Sequence, residues 1–190
     1  MLKELLEFRE SSFHKDLYKR ERWINEREAY AIYFLLQEHK ITRYIEAGTA
    51  NGFSASIAAM AMKDLNITPD IHTWDIIERP KIWQEPNFQL IKDYVTLYVA
   101  PFAEDVNKIR TLPFALKRAF FIDGSHNTGE VRKDWRAVRE FLTTHDIVIF
   151  HDTQGYQGIR DMMNSLAQYQ EYIVSDLTTE RGMTLVRKYE

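Results

Sequence analysis

The chain has no cysteine among its 190 residues, which removes disulfides, thiolate zinc sites and thiol nucleophiles together. An extracellular scaffold of disulfide staples is thereby excluded. It also lacks an excess of one charge: 25 basic residues face 28 acidic ones, and a formal charge of -3 gives no general attraction to nucleic acid. No stretch approaches the roughly 18 uninterrupted apolar residues of a membrane span. The opening Met1-Leu2-Lys3-Glu4-Leu5-Leu6 mixes charges into its apolar residues and has no signal-peptide core. Repeats, linkers and low-complexity tracts are missing as well. What is present, 45% hydrophobic and 28% charged residues, is ordinary soluble usage. The expectation is one domain in the cytoplasm, without membrane contact and with nucleic acid disfavoured as a partner.

Apolar spacing predicts two leading helices, one carried by Leu2, Leu5, Leu6, Phe8 and Phe13, the other running from about Trp23 to His39. They form a cap over residues 1–40, packed on a sheet or pairing two subunits into a homodimer. Five strand-and-turn units follow. Arg43–Ala47 is a strand, Gly48 to Gly52 a turn, and Phe53–Lys63 an alanine-rich helix. Asp70–Asp75 is the second strand and Trp83–Lys92 a helix approached through Pro80 and Pro86. Val95–Val99 is the third strand, stopped by Pro101, with a short helix over Glu104–Thr111. Arg118–Asp123 and Asp146–Phe150 are buried strands around a helix over Val131–Phe141. A helix over Gly158–Tyr169, an edge strand at Tyr172–Ser175 and a last strand at Met183–Lys188 complete the chain. Strands alternating with crossover helices predict an α/β fold whose mostly parallel sheet is covered on both faces. Such a sheet binds its ligand at the carboxyl ends of the strands, where Glu46, Asp75, Asp123, His151 and Asp152 fall.

The first turn, Gly48-Thr49-Ala50-Asn51-Gly52, lets a ligand approach the backbone, and the helix starting at Phe53 or Ser54 offers N–H groups to an anion. A purely structural tight turn would look the same. The three-glycine dinucleotide fingerprint is absent, because Ala50 and Phe53 stand where it asks for glycine. Glu46 at the loop entrance suits an ammonium and opposes a pyrophosphate. Asp75 at the next strand end suits the two hydroxyls of a ribose. Together they favour a nucleoside carrying an amino-acid tail.

Four segments in order, Ile45-Glu46-Ala47-Gly48-Thr49-Ala50-Asn51-Gly52-Phe53-Ser54, His72-Thr73-Trp74-Asp75, Phe121-Ile122-Asp123-Gly124-Ser125-His126 and Val148-Ile149-Phe150-His151-Asp152, carry a resemblance. The chain resembles the class I S-adenosylmethionine-dependent methyltransferases, and more closely their small metal-associated O-methyltransferase-like group, over residues 41–190. The resemblance implies a three-layer Rossmann-like fold with a seven-stranded sheet and an antiparallel edge strand. It implies S-adenosylmethionine as cofactor, with Glu46, Gly48, Thr49, Asn51, Gly52 and Ser54 around its methionine part, Asp75 on the ribose and Ile76 against the adenine. Asp123 borders the same pocket. Where relatives place a small or acidic residue after strand three, this chain has Ala100-Pro101-Phe102, and Phe102 is either an apolar cofactor contact or core.

Asp123, His151 and Asp152 are the expected ligands of Mg2+ or another divalent cation, since two carboxylates with an imidazole make an oxygen-rich set. Strand capping by each carboxylate, and a hydrogen-bonded core histidine at 151, are the plain alternatives. In one branch of the resembled family a basic residue stands three positions after the strand-four acid, which makes His126 the expected general base beside Asp123; another branch has a carboxylate two positions after that acid, where this chain has Ser125. An imidazole, with a reference pKa of about 6.5, accepts a proton at neutral pH. The expected reaction is methyl transfer from S-adenosylmethionine to a hydroxyl of a small-molecule acceptor. Three alternatives remain open from sequence: a metal-dependent hydroxylase or hydrolase, a nicotinamide-dependent oxidoreductase, and a non-catalytic S-adenosylmethionine-binding module.

Overall fold

The computed structural model describes residues 24–78, 82–84, 86–112 and 117–189. The expected Leu2–Phe13 helix, Trp23 and Pro80 lie outside them. Helix α1, Glu26–Glu38, starts at an Asn25 cap whose side chain accepts the Glu28 N–H while the Glu28 carboxylate accepts the Asn25 N–H. Its Ala29, Ile32 and Leu36 are buried, a stripe at helical spacing. Strand β1, Arg43–Ala47, leads through the Gly48–Gly52 turn into α2, Phe53–Asp64, whose residues 53 to 62 are all buried. Alanine at 55, 58, 59 and 61 makes α2 slim enough to lie between the sheet and α1.

Strand β2, Ile71–Asp75, is followed by a 3-10 turn at Ile82–Gln84 and helix α3, Pro86–Ile91. The single helix expected from Trp83 to Lys92 is therefore divided. Proline at 86 has no N–H to continue a preceding turn and suits the first position of a new one. Strand β3, Val95–Val99, ends at Pro101, which stands at the N-cap of α4, Phe102–Asp105, and α4 runs into a 3-10 turn at Val106–Thr111. Then come β4, Arg118–Ile122, α5, Thr128–Arg139, β5, Ile147–His151, α6, Gln157–Leu166, β6, Tyr172–Leu177, and β7, Met183–Lys188.

The seven strands lie in the order β3-β2-β1-β4-β5-β7-β6. The first five are parallel; β7 runs antiparallel to β5, and the edge strand β6 pairs antiparallel with β7. Alternation divides the core. Phe121 and Ile149 face α1 and α2, whereas Phe120, Ile122, Val148 and Phe150 face α5 and α6. Burying each such side chain contributes roughly 1.5–3 kcal/mol. The strand order reverses between β1 and β4, and the crevice at their carboxyl ends is where such sheets bind ligands. None of the helices among the described residues is long and apolar enough to cross a membrane.

Candidate active site

The β1–α2 loop is stitched to its neighbours by its backbone. The N–H groups of Gly48 and Thr49 donate to the Trp74 carbonyl, 2.9 and 3.1 Å away, and Asp123 N–H donates to the Ala47 carbonyl at 3.0 Å. Gly48 has φ +99°, and Gly52, at φ +74°, caps α2 with the Phe88 ring packed where a β-carbon would go. Ala50 and Asp152 also take positive φ, at 48° and 58°. Non-glycine residues in this region cost of order 1–3 kcal/mol and gather at functional sites. Both lie at the mouth of the same crevice.

Glu46 is fully buried beneath the loop. Ser54 and Tyr44 hydroxyls donate to its Oε1, the latter at 3.3 Å, and Thr73 Oγ1 donates to Oε2 at 2.7 Å. Thr49 Oγ1 lies 2.7 Å from Thr73 Oγ1 and extends the network. Burial raises the Glu46 pKa to about 8, with the nearby Asp123 charge adding to it and the Ser54, Thr73 and Tyr44 hydrogen bonds opposing it. Glu46 thus shapes the loop from below rather than presenting a free carboxylate to the crevice. Asp75 ends β2 on the other side of the loop, its Oδ2 accepting Ala50 N–H at 3.2 Å and its Oδ1 accepting Ile77 N–H at 3.0 Å. Ile76 beside it is 72% exposed. Phe102 is 5% exposed and packs edge-on against Trp74 at 5.4 Å, so it belongs to the core and not to a ligand surface.

A cavity of about 420 Å³ joins the loop to the ends of β4 and β5. Gly48, Thr49, Ala50, Asn51, Phe53 and Ser54 form its loop wall; Asp123, Gly124, His126 and Asp152 come from β4 and β5, and Ile24 and Arg181 complete it. Glu46, Gly52, Asp75, Ile76 and Phe102 are not on that wall. Asn51 uses its Oδ1 to accept the Phe53 N–H at 3.2 Å.

Ligand atoms of Asp123, His126 and Asp152 all lie within 4.8 Å of one another. This is the expected carboxylate pair, but with His126 in the third place instead of His151. The reason is geometric. Strand β5 continues through His151 and buries it, with Nδ1 3.0 Å from Asp123 Oδ1 and Nε2 3.2 Å from Glu28 Oε2. Nδ1 also lies 3.7 Å from Asp152 Oδ2, and Nε2 stands beside Glu28 without an aligned hydrogen bond among the described residues. Burial by itself would lower the His151 pKa; Asp123, Glu28 and Asp152 outweigh it and raise it to about 10. His126 is half-exposed, stacks on Tyr156 with ring centres 4.4 Å apart, and sets Nε2 2.6 Å from Asp152 Oδ2. Arg181 Nε approaches Asp152 Oδ1 at 3.3 Å. Asn127 caps α5 and Gln154 lines a second cavity with Arg160.

Two residues near this cluster had no place among the expected site residues: Arg181, which approaches Asp152, and Glu28, which reaches the cluster only through His151 and Arg181. Glu28 is fully buried, and its Oε1 accepts the Arg181 N–H at 3.2 Å. The Asn25-x-x-Glu28 capping box was a visible signal, but it reads as a helix start and says nothing of burial.

Residues 45–153 match the model of a family described as a methyltransferase domain. The chain belongs to this family. Among solved structures, the methyltransferase is similar to a candidate caffeoyl-CoA O-methyltransferase from Staphylococcus aureus, at 15% identity over 99% of each chain and a TM-score of 0.74. It is similar to a methyltransferase from Geobacter sulfurreducens, at 13% identity over 93% of this chain and 87% of that one, TM-score 0.71. An O-methyltransferase from Bacillus cereus in complex with SAH matches at 14% identity over 99% and 90%, TM-score 0.68. At these identities the structures speak for the fold. No curated protein matches the chain.

Proposed function

We propose that this methyltransferase moves a methyl group from S-adenosylmethionine to a hydroxyl of a small molecule, with help from a divalent cation. One observation carries the reading: a single cavity has the glycine-bounded loop on one wall and the Asp123, His126 and Asp152 cluster on another. Cofactor and acceptor chemistry are thereby adjacent. The solved O-methyltransferases of the same fold support oxygen as the acceptor atom, and a cavity of about 420 Å³ suits a small acceptor.

The loop and the start of α2 receive the methionine part, since this glycine-bounded loop forms one wall of the cavity and lets a ligand approach its backbone. Asp75 takes the ribose: it ends β2 beside the loop, where the Ala50 and Ile77 N–H groups donate to its carboxylate and hold it in place. Exposed Ile76 offers apolar surface to the adenine. The described residues 24–40, which carry α1, act as a cap on the 41–190 catalytic domain, supported by Ile24 on the cavity wall.

The donor set fits a divalent cation. Asp123 and Asp152 would hold it, and both Asp152 oxygens are buried without an aligned hydrogen bond among the described residues. When bound, such a cation orients the acceptor hydroxyl and lowers its pKa. In the chain itself, His126 Nε2 stands 2.6 Å from Asp152 Oδ2 on the same cavity wall, which supports His126 as the proton acceptor. In such a transfer the acceptor oxygen would attack the methyl carbon while its proton passes to the His126 imidazole. The carbon–sulfur bond breaks with its electron pair on sulfur, leaving S-adenosylhomocysteine. The protein contributes mainly alignment for in-line transfer.

Calorimetry with S-adenosylmethionine and S-adenosylhomocysteine, with and without Mg2+, tests the proposal. Binding of both nucleosides is expected; a folded protein that binds neither would overturn it.

A further inference from the structure

Glu28 carries more contacts than a helix cap requires. As the third residue of α1 it completes the capping box with Asn25, a task that an exposed glutamate performs equally well. Here the side chain is buried completely, and burying a carboxylate is costly unless partners compensate. Its Oε1 accepts the Arg181 N–H at 3.2 Å and its Oε2 stands 3.2 Å from His151 Nε2. Each partner leads to the cation cluster. His151 Nδ1 lies 3.0 Å from Asp123 Oδ1 and 3.7 Å from Asp152 Oδ2, while Arg181 Nε lies 3.3 Å from Asp152 Oδ1. One carboxylate on the amino-terminal helix is thus linked by two routes, through an imidazole and through the β6–β7 turn, to both acids of the cluster.

We infer that Glu28 is a positioning residue for the Asp123 and Asp152 pair: by fixing His151 and the Arg181 turn, it holds the two carboxylates where they can share a divalent cation. The inference rests on the reading above only in taking that pair as the cation ligands. Helix α1 is then part of the reaction apparatus and not merely a cover. Partners that orient a metal ligand without touching the metal typically contribute about 10–100-fold to its affinity.

The test is Mn2+ titration of the full chain by electron paramagnetic resonance, with S-adenosylhomocysteine calorimetry and thermal melting run on the same samples. Glu28→Gln keeps the length and removes the charge. Glu28→Asp keeps the charge and shortens the reach by one methylene. Both are expected to weaken Mn2+ about tenfold or more, with S-adenosylhomocysteine affinity unchanged. Wild-type Mn2+ affinity in Glu28→Gln overturns the inference. So does wild-type affinity in Glu28→Asp, which would leave charge without positioning, and this variant also decides the matter if Glu28→Gln does not fold. An equal loss of Mn2+ and nucleoside affinity marks a merely structural role and overturns it too. Wild-type protein that binds the nucleoside but no Mn2+ refutes this inference while leaving methyl transfer standing; Mn2+ binding without nucleoside binding does the reverse.

Discussion

A β-carbon added to Gly48 would stand 2.5 Å from the carbonyl oxygen of Asp123. The loops after β1 and β4 therefore touch backbone to backbone, and the loop wall of the cavity cannot move without moving the acid of the cluster. Gly48→Ala combines that collision with a φ of +99° that alanine resists. The expected loss of stability is about 2–4 kcal/mol, read as a shifted urea midpoint, together with weaker nucleoside binding. A variant within about 0.5 kcal/mol of wild type would show that the two loops can separate freely.

Asp75 gives the most direct test of the cofactor. Asp75→Ala removes the proposed acceptor for the ribose and the acceptor of the Ala50 and Ile77 N–H groups. Hydrogen bonds to charged groups contribute about 1.5–3 kcal/mol, so calorimetry should show S-adenosylmethionine weakened by roughly 10–100-fold. Asp75→Asn keeps one acceptor oxygen and should lose less. Unaltered binding in a folded Asp75→Ala protein would place the ribose elsewhere.

Glu46 predicts a pH dependence. Its carboxyl titrates at about 8 in the folded chain against an ordinary value of 4.5. The folded state therefore binds more protons than the unfolded one across that window, and stability present below 4.5 is lost as pH rises toward 8. Asp134, raised to about 7 chiefly by burial, contributes a slope of the same sign, so the informative quantity is the difference between variant and wild type. Glu46→Gln should flatten the decline in melting temperature between pH 5 and 8.5, by about 5 °C or more. Identical pH profiles for the two proteins would mean that Glu46 is ionised throughout.

Much of this was legible in the residues. β1, β3 and β7 begin and end where apolar alternation put them, and Glu46, Asp75, Asp123 and Asp152 fall at strand ends because a parallel sheet collects its polar residues there. What periodicity cannot report is which way a polar side chain turns. Glu46 was legible as a residue of the loop entrance, but its burial depends on Ser54, eight positions later, and Thr73 on the next strand. His151 looked like a ligand because it neighbours Asp152; one further residue of β5 turned it toward Glu28. The Glu28 and Arg181 contact spans 153 positions and depends on how α1 docks beside the β6–β7 turn, a tertiary fact with no local signature.

The remaining question at the cluster is whether His126 moves a proton or binds a cation, and the two roles make opposite demands on it. As a base it would take the acceptor's proton on a ring-nitrogen lone pair; as a ligand it would give a lone pair to the cation beside Asp152. Stacking on Tyr156 fixes the ring plane in either case. Once a small-molecule screen supplies an acceptor, His126→Ala should reduce the transfer rate by about 100-fold or more, as removal of a general base does, while Mn2+ and S-adenosylmethionine affinities stay as in wild type. His126→Gln, which keeps a polar side chain beside Asp152 but takes no proton, should be as slow as His126→Ala. Should Mn2+ affinity fall in both variants while transfer at saturating Mn2+ keeps its wild-type rate, His126 is a ligand and the acceptor must lose its proton to another group.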